Sequence, residues 1–176
     1  MTAEEYANKY LENELKIIEN SERKIVLPEL TIFEKAIIYK YSDDGYEDLN
    51  ENLRINNGAN MPIFGKLLSE CLDKLPNFVD NIYRGVYLTA DEYSRYLDAY
   101  LNDEIINEPF FISASRSILV GNQFGNTHFE IFCRTGKNIE SISKYPLEKE
   151  ALLSNNCKFR VVTTNEIERK IQLIEI

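Results

Sequence analysis

Two glutamates set two positions apart are the side chains in this sequence best suited to stabilising positive charge. Glu148 and Glu150 lie in the segment YPLEKEALL, which we predict to open a β-strand. Alternate side chains of a strand face the same side, so the two carboxylates would lie together. Neighbouring acids raise the pKa of at least one of them and can stabilise a developing cation. The competing interpretation is a solvated strand face, where a Glu-Lys-Glu triplet usually occurs.

Arg84, in the segment IYRGVY, is a second candidate. In a strand its side chain shares a face with Ile82 and Val86, and a cation on such an apolar face needs a partner or a cleft. Gly85 leaves space for a ligand to approach the backbone, and a guanidinium suits a phosphate or a carboxylate. A structural ion pair with one of the chain's many acids would also explain an arginine at this position. If Arg84 is considered without the other candidates, the ion pair is the favoured explanation.

Ser113 and Ser115 form a third candidate, at the end of the apolar segment FFISASRS. Their spacing places both hydroxyls on one face of a strand. The chain has a single histidine, His128, and neither serine has an evident base beside it in the sequence. We therefore do not predict a nucleophilic serine, and hydroxyls at a strand end are common as hydrogen-bonding groups.

Several other kinds of site are excluded by the sequence. It contains neither GxGxxG nor GxxxxGK followed by Ser or Thr, so it signals neither a Rossmann fold nor a P-loop. A single histidine rules out sites that need two. Cys71, Cys133 and Cys157 show no metal-binding or disulfide spacing, so we predict buried thiols and no metal.

Composition bears on partners and location. The formal net charge of −9 argues against general affinity for nucleic acid, because that binding depends on Lys and Arg neutralising phosphates. No apolar run approaches the ~20 residues of a membrane span, and the acidic start MTAEEYANKY lacks the apolar region of a signal peptide. The chain as written would act in a cytoplasm, although a domain excised from a longer secreted protein would look the same.

Helices are predicted for residues 1 to 78. The segment EEYANKYLENELKIIE has apolar residues at helical spacing, and Thr31 with Glu34 forms a capping box that opens another helix. We expect Gly45 in SDDGY to end that helix. Further helices are predicted in YEDLNENLR and IFGKLLSECLDKL.

Residues 79 to 176 change to a mainly β pattern, with one helix after the capping box of Thr89 and Glu92. The predicted strands are NIYRGVYL, FFISAS, THFEIFCR, NIESIS, EKEALL, KFRVVTT and ERKIQLIEI. Helices followed by strands predict an α+β fold, with one domain over residues 1–176 whose helices pack on two antiparallel or mixed sheets around a cleft.

Taken in order, the three candidate groups resemble the motifs of the arginine-specific mono-ADP-ribosyltransferases, a family of bacterial toxins and vertebrate ectoenzymes. That family carries an aromatic-Arg-Gly strand, a Ser-Thr-Ser strand and a Glu-x-Glu pair. The matching residues are Tyr83-Arg84-Gly85, Ser113-Ala114-Ser115 and Glu148-Lys149-Glu150. The similarity extends over about residues 25 to 165, and it implies the family's two-sheet core with an NAD cleft.

The resemblance implies roles on the NAD side of that cleft. Arg84 would hold the NAD phosphates, and the Gly85 backbone would hold the nicotinamide amide. Ser113 would orient Glu150, which would bind the nicotinamide ribose and stabilise an oxocarbenium-like transition state. Ala114 replaces the family's threonine, and we expect the lost hydroxyl to affect affinity more than activity.

On the acceptor side, the resemblance implies that Glu148 holds and activates the arginine of a target protein, and that Tyr145 helps to recognise that target. The chemistry is consistent with these residues, because cleavage of the nicotinamide–ribose bond builds positive charge that a fixed carboxylate stabilises. Nicotinamide leaves as a neutral molecule, so no strong general acid is needed. NAD would be consumed as a co-substrate, and no metal would be required.

Three alternatives are kept beside this interpretation: an inactive relative that binds NAD or a protein partner, a transferase with a nucleic-acid or non-arginine acceptor, and an inactive α+β scaffold. Glu148 favours an arginine acceptor, because related enzymes with other targets tend to carry Gln there. We expect a secreted or injected bacterial or phage effector, with an immunity or inhibitor protein if it is a toxin. We expect no membrane partner.

Overall fold

The computed structural model describes residues 1–176. The helices are α1 Ala3–Tyr10, α2 Glu12–Glu19, α3 Ile32–Lys40, α4 Tyr46–Ile55, α5 Ile63–Asp73, α6 Ala90–Leu101 and α7 Ile118–Gly121. The strands are β1 Phe78–Val86, β2 Ile105–Glu108, β3 Ile112–Ser115, β4 Thr127–Asn138, β5 Glu150–Leu153, β6 Cys157–Asn165 and β7 Lys170–Glu175. Short 3₁₀ turns cover Glu22–Lys24 and Pro146–Glu148, and a π-helical turn covers Tyr41–Gly45.

Hydrogen bonds join all seven strands in the order β1-β3-β5-β4-β7-β6-β2, and β1 also pairs with β4. The long strand β4 pairs with β1 between Thr127 and Gly136 and with β7 between His128 and Phe132. At its end it pairs with β5 through Lys137 and Asn138. The sheet therefore has two parts that share β1 and β4. Strands β4 and β7 run parallel and the other pairs run antiparallel, which confirms the mixed β core of the predicted α+β fold.

Two apolar cores hold the helices on this sheet. The first joins α1 to α5, in the helical half (residues 1–78), with residues of the β half (residues 79–176). These are Phe111, Ile139, Ile142 and Leu152. The second lies between α6 and the strands and includes Tyr96, which packs edge-on against a phenylalanine of β4. Both cores depend on burying apolar surface, the dominant favourable term in folding. No helix combines the length and the apolar run needed to cross a membrane.

The N-terminal caps form as the sequence predicts. Thr31 and Glu34 cap α3, and Thr89 and Glu92 cap α6, each with both reciprocal hydrogen bonds of a capping box. These signals are local, since the four groups involved lie within one turn of each other, and so they need no help from tertiary packing.

Two helix boundaries differ from the prediction. The segment at residues 4–19 forms two helices, because Leu11 leaves the helical region at φ −125° and ψ 38° while its side chain stays buried in the first core. The prediction that Gly45 ends a helix is wrong: Gly45 is helical at φ −63°, and the π-turn joins α3 to α4. A Cβ at Gly45 would lie 2.9 Å from the Phe64 ring, so the glycine allows α5 to approach closely.

The strand prediction fails at two places. The segment NIESIS forms a turn after β4, because Ile139 and Ile142 are both buried at a spacing of three and their backbones hydrogen-bond to each other. Strand β2 was not predicted from the sequence. In the structure its four residues alternate between exposed and buried positions. Strand β2 pairs with β6, which lies far along the chain, and this long-range pairing has no local signal.

Candidate active site

A cavity of about 560 Å³ opens where the π-turn and α4 face the ends of β1, β3 and β5. Strand β1 contributes Arg84, β3 contributes Ser113, and Glu150 begins β5. The structure thus brings together three side chains that are 29 and 37 positions apart in sequence. The lining also includes Tyr41, Ser42, Asp43, Tyr46, Glu47, Asn50, Arg54, Tyr83, Gly85, Ala114, Ser115, Val120, Gly121, Phe124, Tyr145 and Glu148.

Arg84 holds no structural ion pair, which was the competing explanation for it. Its guanidinium donates a hydrogen bond to the Ser113 carbonyl oxygen at 2.5 Å, and no carboxylate lies within 4.0 Å of it. Burial lowers the pKa of Arg84 from its ordinary value, but a guanidinium stays charged in proteins. A half-buried cation with unused donors is therefore available to an anionic ligand.

Glu150 is the buried carboxylate at the floor of the cavity, with 7% of its surface exposed. The Ser113 hydroxyl donates to Glu150 Oε1 at 2.5 Å. Strand register produces this contact, because Glu150 lies opposite Ser115 on β3 and Ser113 is its diagonal neighbour. The two serines thus share a face, as their spacing predicts.

The pKa of Glu150 is raised to about 7, chiefly by burial. Its hydrogen bond from Ser113 and the nearby Arg84 lower the pKa, while the charge of Glu148 raises it further. A carboxylate with a pKa displaced by desolvation in a cleft is a recognised property of functional sites. Above neutral pH this floor presents a negative charge with little water around it.

Glu148 reaches the same cavity by a different route from the one predicted. It does not lie on a strand with Glu150, because residues 146–148 form a 3₁₀ turn and Lys149 takes a left-handed conformation at φ 50°. The prediction of one shared strand face is therefore wrong, although both side chains line the cavity. The Ser115 hydroxyl fixes the turn by donating to the Glu148 carbonyl oxygen at 2.7 Å. Glu148 and Tyr145 are exposed at the rim.

Gly85 is covered by the protein's own chain. A Cβ there would lie 2.0 Å from the Phe124 carbonyl oxygen, and a Cβ at Gly121 would lie 2.5 Å from Tyr83 Cβ. The loop after α7 therefore lies directly against β1 and forms one wall of the cavity. The space that the sequence suggested for a ligand beside Gly85 is used for this close approach.

The seven lining residues of the helical half were not predicted from the sequence, and three of them share one face of α4. Tyr46, Asn50 and Arg54 are spaced by four along α4, so they share one helix face, and that face lines the cavity. Asn50 is buried and pairs with both the N–H and the carbonyl of Phe111, at 3.0 and 3.1 Å. Arg54 adds a second cation to the cavity. The signal available in the sequence was the spacing of four between these polar residues, which indicates one polar face of a helix.

Other candidate groups lie elsewhere. His128 lines a separate and smaller cavity, and the three cysteines are buried and unpaired. Burial raises the pKa of Cys71 and Cys157 to about 12, so these thiols are unreactive at neutral pH. No group of three or more His, Cys, Asp or Glu side chains is placed to hold a metal ion.

The fold that carries this site is that of the ADP-ribosyltransferases. The ADP-ribosyltransferase HopU1 of Pseudomonas syringae matches with a TM-score of 0.81 and 20% identity, over 93% of this chain and 86% of HopU1. Exoenzyme S of Pseudomonas aeruginosa, solved with human 14-3-3 protein beta and carba-NAD, matches with a TM-score of 0.77 and 19% identity, over 98% of this chain and 86% of its own. At these identities the likeness concerns the fold.

Sequence comparison gives the family. The model of the ADP-ribosyltransferase exoenzymes matches residues 5–175, and this chain belongs to that family. Mav of Mycobacterium avium, which is named as an NAD(+)–arginine ADP-ribosyltransferase, is 32% identical over 165 residues. The match covers 89% of this chain and 19% of Mav, so the chain spans about a fifth of the length of that curated relative. The predicted resemblance to this family is confirmed.

Proposed function

We propose that this chain transfers ADP-ribose from NAD to an arginine of a target protein and releases nicotinamide. The observation that carries the proposal is the contact of Ser113 with the buried Glu150, in one cavity with Arg84 and Glu148. This arrangement puts a fixed negative charge, a free guanidinium and a second carboxylate around one space. Its volume, about 560 Å³, falls within the range of small-molecule sites.

Arg84 and Arg54 would bind the phosphates of NAD, because both residues line the cavity and phosphates pair well with the planar donors of a guanidinium. The Gly85 backbone would hold the nicotinamide amide. Since Phe124 lies over Gly85, the loop after α7 would adjust as NAD enters. NAD acts here as a consumed co-substrate, and the proposed reaction uses no metal.

Glu150 would act on the ribose of the nicotinamide half. When the glycosidic bond breaks, its electron pair passes to the pyridinium nitrogen, and neutral nicotinamide leaves an electron-poor sugar carbon. The Glu150 carboxylate, oriented by Ser113, would bind a ribose hydroxyl and stabilise the positive charge. A fixed charge in a site with little water is effective because it needs no reorganisation during the reaction.

Glu148 would act on the acceptor. The guanidinium nitrogen forms the new bond to the sugar carbon, and the proton that it loses passes to the Glu148 carboxylate. Exposure suits this role, because an arginine of another protein must reach Glu148 from solvent. Tyr145 and Tyr46, both exposed and both lining the cavity, would contact that acceptor.

Nicotinamide release and label transfer from NAD test this proposal. The chain should release nicotinamide slowly without an acceptor and label agmatine, a small arginine analogue, when it is added. Mass spectrometry of a treated cell lysate should place ADP-ribose on arginine. Label that nuclease removes, or label on another side chain, would favour the alternative acceptors, and NAD binding without release of nicotinamide would favour an inactive relative.

We also propose the extent of the catalytic unit, its place of action and its partners. Residues 1–176 would act as one catalytic unit, since the cavity takes its lining from both the helical half and the β half. The protein would be a toxin or effector that acts in the cytoplasm of a target cell, on a protein with an accessible arginine. An immunity or inhibitor protein would cover the cavity in the producing cell. The net charge of −9 disfavours a nucleic-acid partner.

A further inference from the structure

The loop between β4 and β5, residues 139–149, carries both Tyr145 and Glu148 to the rim of the cavity. We call it the acceptor loop. Its first part is fixed by packing, because Ile139 and Ile142 are fully buried in the core of the helical half. Arg23 adds hydrogen bonds to the carbonyl oxygens of Ile142 and Ser143, at 3.3 and 2.9 Å.

The far end of the acceptor loop is fixed by β3 and the residue after it. Ser115 Oγ donates to the Glu148 carbonyl oxygen at 2.7 Å, and the Arg116 N–H donates to the Lys149 carbonyl oxygen at 3.0 Å. Between these two ends lies a tip, residues 145–147, which projects into solvent. Tyr145 is 50% exposed and Leu147 is 89% exposed.

Lys144 is the last fixed point before this tip, and the π-turn holds it. The Lys144 N–H donates to Ser42 Oγ at 2.8 Å, across 102 positions of sequence. Ser42 is buried, and its own hydroxyl proton is directed to the Tyr39 carbonyl oxygen at 2.8 Å, which leaves the lone pairs of Oγ toward Lys144. A weaker ion pair, Lys144 Nζ to Asp43 at 3.4 Å, lies beside it near the surface.

The π-turn gives Ser42 this position. A π-turn is a rare local widening of a helix and occurs often at functional sites. Here it places Tyr41, Ser42 and Asp43, three consecutive residues, along the cavity. The helical half therefore contacts the acceptor loop through a side chain that no motif of the sequence includes.

We propose that Ser42 is a positioning residue, which fixes the start of the tip and so places Tyr145 and Glu148 for the acceptor arginine. The proposal rests on the function proposed above. Because Ser42 acts through the acceptor loop, it should affect transfer to arginine and not the cleavage of NAD. A direct contact of Ser42 with NAD would instead alter both.

Kinetics of Ser42→Ala distinguish these roles. We expect kcat/KM for agmatine to fall roughly fivefold, the effect of losing one net hydrogen bond. Nicotinamide release without an acceptor, and the KM for NAD, should stay within about twofold, and Ser42→Thr should restore transfer because it keeps the oxygen. The matched control is Ser69→Ala, which removes a buried hydroxyl that has no hydrogen-bond partner. Equal loss of both activities, or unchanged transfer, would overturn the proposal.

Limited proteolysis tests the same contact without any enzymatic activity. Trypsin cleaves after Lys144 and Lys149, which bracket the tip. Ser42→Ala should speed cleavage after Lys144 severalfold, while Ser69→Ala and cleavage after Lys149 serve as controls. Cleavage after Lys144 at the wild-type rate would reject the role of Ser42. The two proposals can also fail separately. If Ser42→Ala speeds this cleavage but the wild-type protein does not label arginine, the contact is supported and the proposed function is rejected.

Discussion

The floor and the rim of the cavity carry the same functional group in opposite surroundings. Glu150 is buried on β5, receives a hydrogen bond from Ser113, and has a pKa raised to about 7. Glu148 lies only two positions away but is exposed on a 3₁₀ turn. The difference shows that spacing in the sequence identifies a pair of acids, while the local backbone decides which of them is desolvated.

The two regions are also held differently. Backbone pairing between β3 and β5 fixes the floor, because it holds the Glu150 backbone opposite Ser115. Side chains from distant elements fix the rim, among them Ser42 and Ser115. A strand pair constrains the geometry of a reacting group more tightly than a loop does. This difference supports our proposal that NAD is cleaved at the floor and that the acceptor is chosen at the rim.

The largest expected effect follows from neutralising the floor. Glu150→Gln keeps the shape and removes the charge, so nicotinamide release and transfer to agmatine should both fall roughly a hundredfold or more, the usual cost of losing one electrostatic stabiliser. Both rates are measured on one enzyme preparation, with the melting temperature as a check on folding. Transfer at the wild-type rate in this variant would remove Glu150 from the catalytic centre.

A smaller effect is expected from Arg84→Lys. Lysine retains the charge but not the planar fork that binds phosphate oxygens, and it cannot reproduce the donor geometry. The dissociation constant for NAD should rise on the order of tenfold, about 1.4 kcal/mol. Calorimetry with NAD measures this directly, and an unchanged affinity would count against a phosphate role for Arg84.

The pH dependence of nicotinamide release tests the desolvated state of the floor. In the proposed reaction the carboxylate is the active form of Glu150, so kcat/KM for NAD should rise as pH increases through about 7. One pH unit below that pKa, the rate should be about a tenth of its plateau. The Glu148→Gln variant should keep the shape of this profile with its midpoint at lower pH, because the charge of Glu148 raises the pKa of Glu150. A flat profile between pH 5.5 and 8 would contradict the pKa of Glu150.

The same burial should reduce the stability of the fold. Folding raises the pKa of the Glu150 carboxyl, so the folded state is favoured when this carboxyl is protonated. The contribution to stability is complete below about pH 4.5 and is lost as pH rises through about 7. Glu150→Gln should therefore raise the free energy of unfolding at pH 8 by about 1–3 kcal/mol. The gain should shrink toward pH 5. Denaturant unfolding measures it, and Glu148→Gln, at an exposed position, should show no such gain.

The site could be predicted from the sequence where the signals are local or part of a motif. The capping boxes of Thr31 and Thr89 formed, and the structure brought Arg84, Ser113 and Glu150 into one cavity. These residues lie on strands with clear β patterns. The order of helices and strands was enough to predict the α+β class.

Features set by tertiary packing could not be predicted. The helix continues through Gly45, which leaves room for the Phe64 ring, and the exposed position of Glu148 depends on the left-handed backbone of Lys149. Arg54 reaches the cavity only because α4 packs beside β3 through Asn50 and Phe111. The packing at Gly45 and the position of Arg54 are thus decided by contacts with distant parts of the chain.

The ratio of transfer to hydrolysis in Glu148→Gln tests the central claim most directly. If the floor cleaves NAD and the rim serves the acceptor, this variant should lose labelling of agmatine by roughly a hundredfold while keeping most of its nicotinamide release. The ratio should therefore fall about as far as the transfer rate does. Equal loss of both activities would leave the ratio unchanged, and it would show that Glu148 also serves the sugar and that the two glutamates do not divide the reaction.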